Sequence, residues 1–202
     1  MFEKLENTVS EISKINISEE RKKVLQPLVE YIKLKKEKGE PIRLNFICTH
    51  NSRRSHLAQV WAQTMAHYFN IPNVQCYSGG TEATAMFTKV LETLAFQGFE
   101  CSKLTDTSNP IYELKYDLGE SPIVCFSKAF DDAFNPSKNF AAILTCNSAD
   151  EACPYIAGAE IRIPIKYDDP KAFDGTEQMD EKYLERSREI ASELFQVFFS
   201  SR

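Results

Sequence analysis

Hydrophobic residues recur at helical spacing along the first forty residues. Leu5, Val9 and Ile12 form one such series, and a second series follows Ser18. Residues 1–40 are therefore predicted to form an N-terminal helical extension before the first core strand. Two roles stay open for this extension: packing across the domain or forming a homodimer interface.

From residue 41 onward, short apolar runs alternate with amphipathic segments. Strands are predicted at 42–47, 74–78, 141–145 and 161–165, and helices at 57–68, 86–96 and 180–199. Strands that alternate with helices are joined by right-handed crossovers, which favour a parallel sheet. The order of elements thus predicts an α/β fold for residues 41–202.

One segment departs from this alternation. Residues 111–116 alternate in polarity, 117–122 are rich in turn residues, and 123–126 are apolar, which predicts an inserted β-hairpin at about 110–128. A competing interpretation makes 123–126 the third core strand. We prefer 141–145 for that role, because it is continuously apolar and runs straight into Cys146.

The first predicted strand ends at a cysteine that can act as a nucleophile. A polar loop leads from Cys48 to a predicted helix at His56, with Ser55 as its N-cap. Unpaired N–H groups and the positive dipole of a helix N-terminus favour an oxyanion and also a thiolate. The planar fork of Arg54 can hold two oxygens. Ser55 can hydrogen-bond the sulfur.

The Cys-x5-Arg-Ser spacing in this context resembles the phosphate loop of low-molecular-weight tyrosine phosphatases and thioredoxin-coupled arsenate reductases. The resemblance implies a flavodoxin-like three-layer domain with a four-stranded parallel sheet in the order 2-1-3-4. It makes Cys48 the nucleophile and Asp169, before Pro170, the general acid, with Asp168 as the fallback. The oxyanion would be bound and the loop ordered by Thr49, His50, Asn51, Ser52, Arg53, Arg54 and Ser55.

A second cysteine segment separates the two enzyme types. Cys146, followed seven positions later by Cys153-Pro154, resembles the relay segment of thioredoxin-coupled arsenate reductases. The resemblance implies that Cys48 attacks arsenate, Cys146 displaces arsenite, and Cys153 resolves the disulfide and presents it to thioredoxin. Seven helical residues span about 10.5 Å, whereas a disulfide needs Cα atoms within about 7 Å. A helix between the two cysteines would therefore have to unwind.

Several positions depart from the family pattern. Thr49 and His50 stand where a small residue is usual, and His50 would narrow the pocket. Arg53 replaces a small residue or a cysteine, and a second cation there would favour the Cys48 thiolate. Gln59 stands where related reductases carry a glutamate that helps bind potassium, so no metal is expected. The paired tyrosines that follow Asp-Pro in many tyrosine phosphatases are absent.

Composition narrows the possible functions. The net charge of −5 argues against general nucleic-acid binding, and no apolar run approaches the roughly 18 residues of a membrane span. The N-terminus lacks the shape of a signal peptide, so a cytoplasmic protein with reduced cysteines and no bound cofactor is expected. The remaining three cysteines are predicted to be inert core thiols: Cys76, Cys101 and Cys125.

Three functions remain open. The first is an arsenate reductase that uses thioredoxin as its reductant. The second is a low-molecular-weight phosphatase that acts on phosphotyrosine or a small phosphomonoester. The third is a non-catalytic module that binds an oxyanion such as phosphate.

Overall fold

The computed structural model describes residues 1–152 and 155–202. Along these residues run six helices and seven strands, which differ from the predicted core elements by no more than three residues at either end. They are α1 (Glu3–Ile12), α2 (Glu19–Glu37), β1 (Ile42–Cys48), α3 (Arg54–Tyr68), β2 (Val74–Gly80), α4 (Thr88–Phe96), β3 (Glu100–Lys103), β4 (Tyr112–Lys115), β5 (Ile123–Cys125), β6 (Phe140–Leu144), α5 (Asn147–Ala152), β7 (Ala159–Pro164) and α6 (Met179–Ser200).

The central sheet is parallel and has four strands in the order β2-β1-β6-β7. The predicted order 2-1-3-4 is confirmed, and the competing assignment of 123–126 to this sheet is wrong. β1 and β6 are neighbours, with Phe46 opposite Ile143 and Ile47 opposite Leu144. Their carboxyl ends therefore meet at one edge, where parallel sheets bind ligands.

Both faces of the sheet are covered, which gives three layers. Phe46 and Ile143 belong to the main core, which also takes in side chains of α2, α3 and α6. Their sequence neighbours Ile47 and Leu144 point to the opposite face, in a smaller core with Ala149 of α5. The near-continuous apolar character of β1 and β6 follows from burial on both sides.

The predicted hairpin is part of a larger antiparallel sheet. β4 pairs with β5 as predicted, but a third strand, β3, pairs with the other edge of β4. The hairpin prediction was incomplete because β3 gives no strand signal. Three of its four residues are exposed, so it lacks the apolar alternation of a half-buried strand.

The N-terminal helices share the main core. Leu5, Val9 and Ile12 of α1 are at most 1% exposed and pack in the same cluster as Trp61 of α3. α1 lies so close to Gly98 that a Cβ there would be 2.6 Å from the Leu5 nitrogen. The helical prediction for this region is confirmed, and its buried face is used within the chain. The division at about residue 40 and the homodimer role stay predictions.

The helix that follows the cysteine loop is anchored deep in the protein. Trp61 on α3 donates its ring N–H to Ser187 Oγ on α6 at 2.9 Å, and Ser187 donates to Gln97 Oε1 at 2.6 Å. The middle of α3 is thus held against α6. No helix among the described residues is long and apolar enough to cross a membrane.

Candidate active site

Cys48 closes β1 and faces the first turn of α3. It is 3% exposed, and its Sγ lies 3.1 Å from Ser55 Oγ. The prediction that Ser55 caps the helix is wrong, because α3 begins at Arg54 and Arg53 occupies the cap position without a side-chain hydrogen bond. Ser55 lies inside the first turn, where its hydroxyl is free to meet the sulfur.

Asn51 sets the turn of the loop. Its φ of 44° is left-handed, a conformation that asparagine tolerates better than most residues. Its side chain donates to Ser55 Oγ at 2.8 Å and accepts from the Lys128 backbone N–H at 2.9 Å. Turns of this kind can aim successive backbone N–H groups to one side and so form concavities that bind anions.

The back of the loop lies against the end of β2. The Thr81 and Glu82 backbone N–H groups donate to the carbonyls of Cys48 and Thr49 at 3.1 and 2.9 Å. A Cβ on Gly80 would lie 2.6 Å from the Thr49 oxygen, so this close approach requires glycine. Ser52 Oγ adds a bond of 2.7 Å to the Ala85 carbonyl. The loop is thereby fixed from behind.

Two ionisable side chains are buried behind the loop. The His56 ring bonds to the Asn51 carbonyl at 2.9 Å, and burial together with the charge of Lys128 lowers the His56 pKa to about 3. Burial also lowers the pKa of Lys128 to about 8. By contrast, the His50 side chain is 44% exposed and lies 3.7 Å from the Glu82 carboxylate. His50 thus stands at the surface of the loop.

Arg54 connects the loop to the candidate acid. Its Nη1 donates to the Tyr167 carbonyl at 2.9 Å, and its Nη2 donates to Asp169 Oδ2 at 2.7 Å. Asp169 also accepts from the Lys171 backbone N–H and begins a short 3₁₀ turn, Pro170–Phe173. Asp168 is 99% exposed and lies 3.7 Å from Arg186. Of the two candidate acids, Asp169 is the one next to Arg54.

Arg53 makes a separate set of contacts. Its guanidinium donates to the Tyr183 hydroxyl at 2.6 Å and to Asp174 at 2.5 Å, and it lies 4.2 Å from the Phe87 ring centroid. Its charge is therefore paired with Asp174, and the expected effect of Arg53 on Cys48 stays a prediction. Neither Asp174 nor Tyr183 was singled out as a site residue from the sequence. No local signal links residues more than 120 positions apart.

Cys146 lies beside the loop of Cys48. It lies two residues after the end of β6, is 2% exposed, and its Sγ is 3.4 Å from both Thr49 Oγ1 and the Ala149 backbone nitrogen. Because Thr49 follows Cys48, the two cysteine segments meet at this contact. The helix α5 follows Cys146, and Cys153 lies outside the described residues.

The other described thiols are remote from this chemistry. Cys76 and Cys125 are buried, and burial raises the pKa of Cys125 to about 12 and that of Cys101 to about 11. All five described cysteines are free thiols. Gln59 uses its amide to donate to the carbonyls of Cys76 and Val124. Across residues 1–152 and 155–202, no group of three or more His, Cys, Asp or Glu side chains could hold a metal ion.

Comparison with known proteins identifies the fold. No protein-family model matches the chain, and no curated protein sequence does. Among solved structures, a low-molecular-weight phosphotyrosine phosphatase from Vibrio cholerae O395 has a TM-score of 0.51 at 17% identity, over 79% of this chain and 95% of its own. An arsenate reductase in its phosphate-binding state has a TM-score of 0.51 at 14% identity, over 80% and 99%.

A third solved structure has the same similarity. A cysteine-to-serine mutant of the YwlE arginine phosphatase, with a phosphorylated active-site serine, has a TM-score of 0.51 at 12% identity, over 78% of this chain and 94% of its own. These identities establish the fold and do not select an activity. The chain has the fold of the low-molecular-weight phosphotyrosine phosphatases and arsenate reductases.

Proposed function

We propose that this protein is an arsenate reductase that works through Cys48, Cys146 and Cys153 and is recycled by thioredoxin. The observation that carries the proposal is the contact of 3.4 Å between Thr49 Oγ1 and Cys146 Sγ. It places a second buried thiol beside the loop of the nucleophile. A phosphatase has no use for that thiol.

The first step is attack of the Cys48 thiolate on arsenate. A sulfur–arsenic bond forms, and one arsenate oxygen leaves as water after accepting protons. Arg54 and the backbone N–H groups of the loop bind the remaining oxygens. Asp169, held 2.7 Å from Arg54, is the acid that protonates the leaving oxygen. The Ser55 hydroxyl contacts the Cys48 sulfur at 3.1 Å.

The second step transfers two electrons to arsenic. The Cys146 thiolate attacks Cys48 Sγ, a Cys48–Cys146 disulfide forms, and the electron pair of the sulfur–arsenic bond stays with arsenic, which leaves as arsenite. The Thr49 hydroxyl and the Ala149 N–H contact the Cys146 sulfur. Because β1 and β6 are adjacent, this disulfide forms at the end of two neighbouring strands.

The third step regenerates Cys48. The Cys153 thiolate attacks Cys146 Sγ, which releases the Cys48 thiolate and leaves a Cys146–Cys153 disulfide. The dithiol of thioredoxin then reduces this disulfide by exchange. Such a bridge requires rearrangement of α5, because Cys146 precedes the helix and Cys153 follows its last residue, Ala152.

A single-turnover experiment tests the reductive steps without thioredoxin. Reduced protein mixed with arsenate should release stoichiometric arsenite and lose two thiols per chain. Cys146→Ser should release no arsenite, whereas Cys76→Ser, a matched change of a buried cysteine outside the site, should behave as the unaltered protein. Arsenite release by Cys146→Ser at the full rate would refute the relay.

The second candidate is hydrolysis of phosphotyrosine or a small phosphomonoester. The pairing of Arg54 with Asp169 favours it, because the two groups serve phosphocysteine chemistry without a second thiol. Under this function, Cys146→Ser leaves aryl phosphate hydrolysis intact and arsenate is not reduced. Phosphate binding without turnover of either substrate would instead support a non-catalytic module.

A further inference from the structure

Two consecutive arginines of the loop hold opposite ends of the segment that carries Asp169. Arg54 bonds to the Tyr167 carbonyl and to Asp169 at the beginning of the segment. Arg53 bonds to Asp174, just after the 3₁₀ turn. The acid is therefore attached to the cysteine loop on both sides.

The attachment through Arg54 conflicts with substrate binding. An oxyanion in the loop is recognised by the fork of Arg54, and Nη2 is already engaged by Asp169 at 2.7 Å. Arg54 Nε is buried and has no hydrogen-bond partner among the residues that the structure describes. Binding the anion thus fills the free Nε and competes for Nη2. When substrate binds, the segment that carries Asp169 therefore loses part of its attachment to Arg54.

The attachment through Arg53 does not conflict with substrate binding. Arg53 is 9% exposed, and its partner Tyr183 on α6 is fully buried. Arg53 donates to one carboxylate oxygen of Asp174, while the Tyr183 hydroxyl donates to the other at 2.5 Å and accepts from Arg53 Nε at 2.6 Å. The Phe87 ring packs on the guanidinium. The bond from Arg53 to Tyr183 is buried, and the Asp174 side chain is 26% exposed.

We infer that Arg53 is a positioning residue that keeps Asp169 over the sulfur when Arg54 turns to the oxyanion. It acts through Asp174, which lies five residues after Asp169, and through α6, which carries Tyr183. The two arginines have different roles. Arg54 binds substrate, and Arg53 positions Asp169. This inference rests on the proposed chemistry of Cys48 and Asp169 in either its reductase or its phosphatase form.

The test uses aryl phosphates whose leaving groups differ in their need for a proton. Phenyl phosphate requires protonation of the leaving phenolate by Asp169, whereas p-nitrophenyl phosphate needs it much less. Arg53→Met should lower kcat/KM for phenyl phosphate by about 10- to 100-fold and kcat/KM for p-nitrophenyl phosphate far less, because kcat/KM reports the step in which the phenolate leaves. Asp174→Asn, which keeps the shape of the side chain, should show the same selectivity.

A double-mutant cycle separates positioning from general damage. If Arg53 acts through Asp169, Arg53→Met should cause little further loss in a protein that already carries Asp169→Asn. Equal losses for both leaving groups, or losses that multiply in the double variant, would overturn the inference. A protein in which Asp169→Asn has no effect on phenyl phosphate would instead refute the proposed role of Asp169, and with it this inference. Melting curves establish that each variant is folded.

Discussion

Two cysteine segments follow neighbouring strands at the same edge of the sheet, one from Cys48 and one from Cys146. They differ in the contacts that hold them to the rest of the protein. After Cys48, the loop is bonded to β2, to Lys128, to Ala85 and to the segment of Asp169. After Cys146, α5 has six residues, of which Asn147 and Ser148 are exposed. Asp150 holds this helix through ion pairs with Arg162 and Lys166.

This difference fits two kinds of chemistry. Stabilising an oxyanion in the transition state requires donors that are already in place, because reorganisation would cost the energy that the site is meant to supply. A cysteine that exchanges disulfide partners needs a backbone that can change conformation. A loop fixed from several sides, next to a short helix whose described ion pairs are those of Asp150, is consistent with the relay that we propose.

The largest effect is expected at Cys48. Cys48→Ser should lower both arsenate reduction and aryl phosphate hydrolysis by more than about 1,000-fold, because serine is a far weaker nucleophile at neutral pH. Initial rates measured alongside Cys76→Ser, which should keep its activity, give the comparison. Substantial turnover by the Cys48→Ser protein would mean that another group attacks the substrate.

Replacing one asparagine by alanine in each cysteine segment compares how strongly the two segments are held. Asn51→Ala should lower the free energy of unfolding by about 2 to 3 kcal/mol, because the buried Lys128 N–H loses its acceptor and alanine tolerates a left-handed φ poorly. The exposed Asn147→Ala in α5 should cost less than about 0.5 kcal/mol. Urea unfolding measures the free energy of unfolding of both variants. Equal losses in Asn51→Ala and Asn147→Ala would contradict the difference between the two cysteine segments.

A buried charge behind the loop should make stability depend on pH. Burial lowers the pKa of Lys128 from 10.5 to about 8, so between these values the unfolded chain binds more protons and stability rises with pH. Below pH 8 the charge is buried at full cost. Lys128→Met should therefore stabilise the protein at pH 7 by about 2 kcal/mol, after loss of the ring contacts offsets part of the gain.

The Lys128→Met advantage should shrink as the pH approaches 10. Unfolding in urea at pH 7, 8.5 and 10 measures this trend. A destabilised variant at pH 7, or an advantage that does not change with pH, would show that the ammonium is better compensated than its contacts with Phe126 and Phe134 suggest.

A smaller effect is expected at the anchor of α5. Lys166 and then Arg162 lower the pKa of Asp150 below its ordinary value of 3.8, so the ion pairs stabilise the helix above that pH and are lost as pH falls through the lowered pKa. Asp150→Asn should cost about 1 kcal/mol. It should speed amide exchange in α5 at pH 7 while leaving the Cys48 loop unchanged. Equal acceleration in both segments would contradict separate fastening.

Much of the fold could be predicted from the sequence. The buried strand β6 is a continuous apolar run, and β1 is apolar except for Arg43 and Asn45. The helices α1 and α2 repeat apolar residues at helical spacing, so each of these elements reports its structure locally. β3 could not be predicted, because its mostly exposed residues have no such pattern. What fixes β3 is its pairing with β4.

The candidate site was predictable only where its residues are close in sequence. The loop from Cys48 to Ser55 and the position of Asp169 could be proposed from spacing and resemblance. The Arg53 contacts with Asp174 and Tyr183 join residues 121 and 130 positions apart. No pattern in the local sequence around these residues predicts the contacts. The burial of Lys128 is equally hidden, because lysine is rarely found inside.

The most direct test of the cysteine relay is NADPH consumption by the reduced protein with thioredoxin, thioredoxin reductase and arsenate. The relay predicts sustained oxidation that disappears in both Cys146→Ser and Cys153→Ser and persists in Cys76→Ser. Sustained oxidation in Cys146→Ser or Cys153→Ser, or no oxidation by unaltered protein whose thiols are confirmed reduced, would contradict it. The latter result would move the assignment to phosphatase chemistry at Cys48.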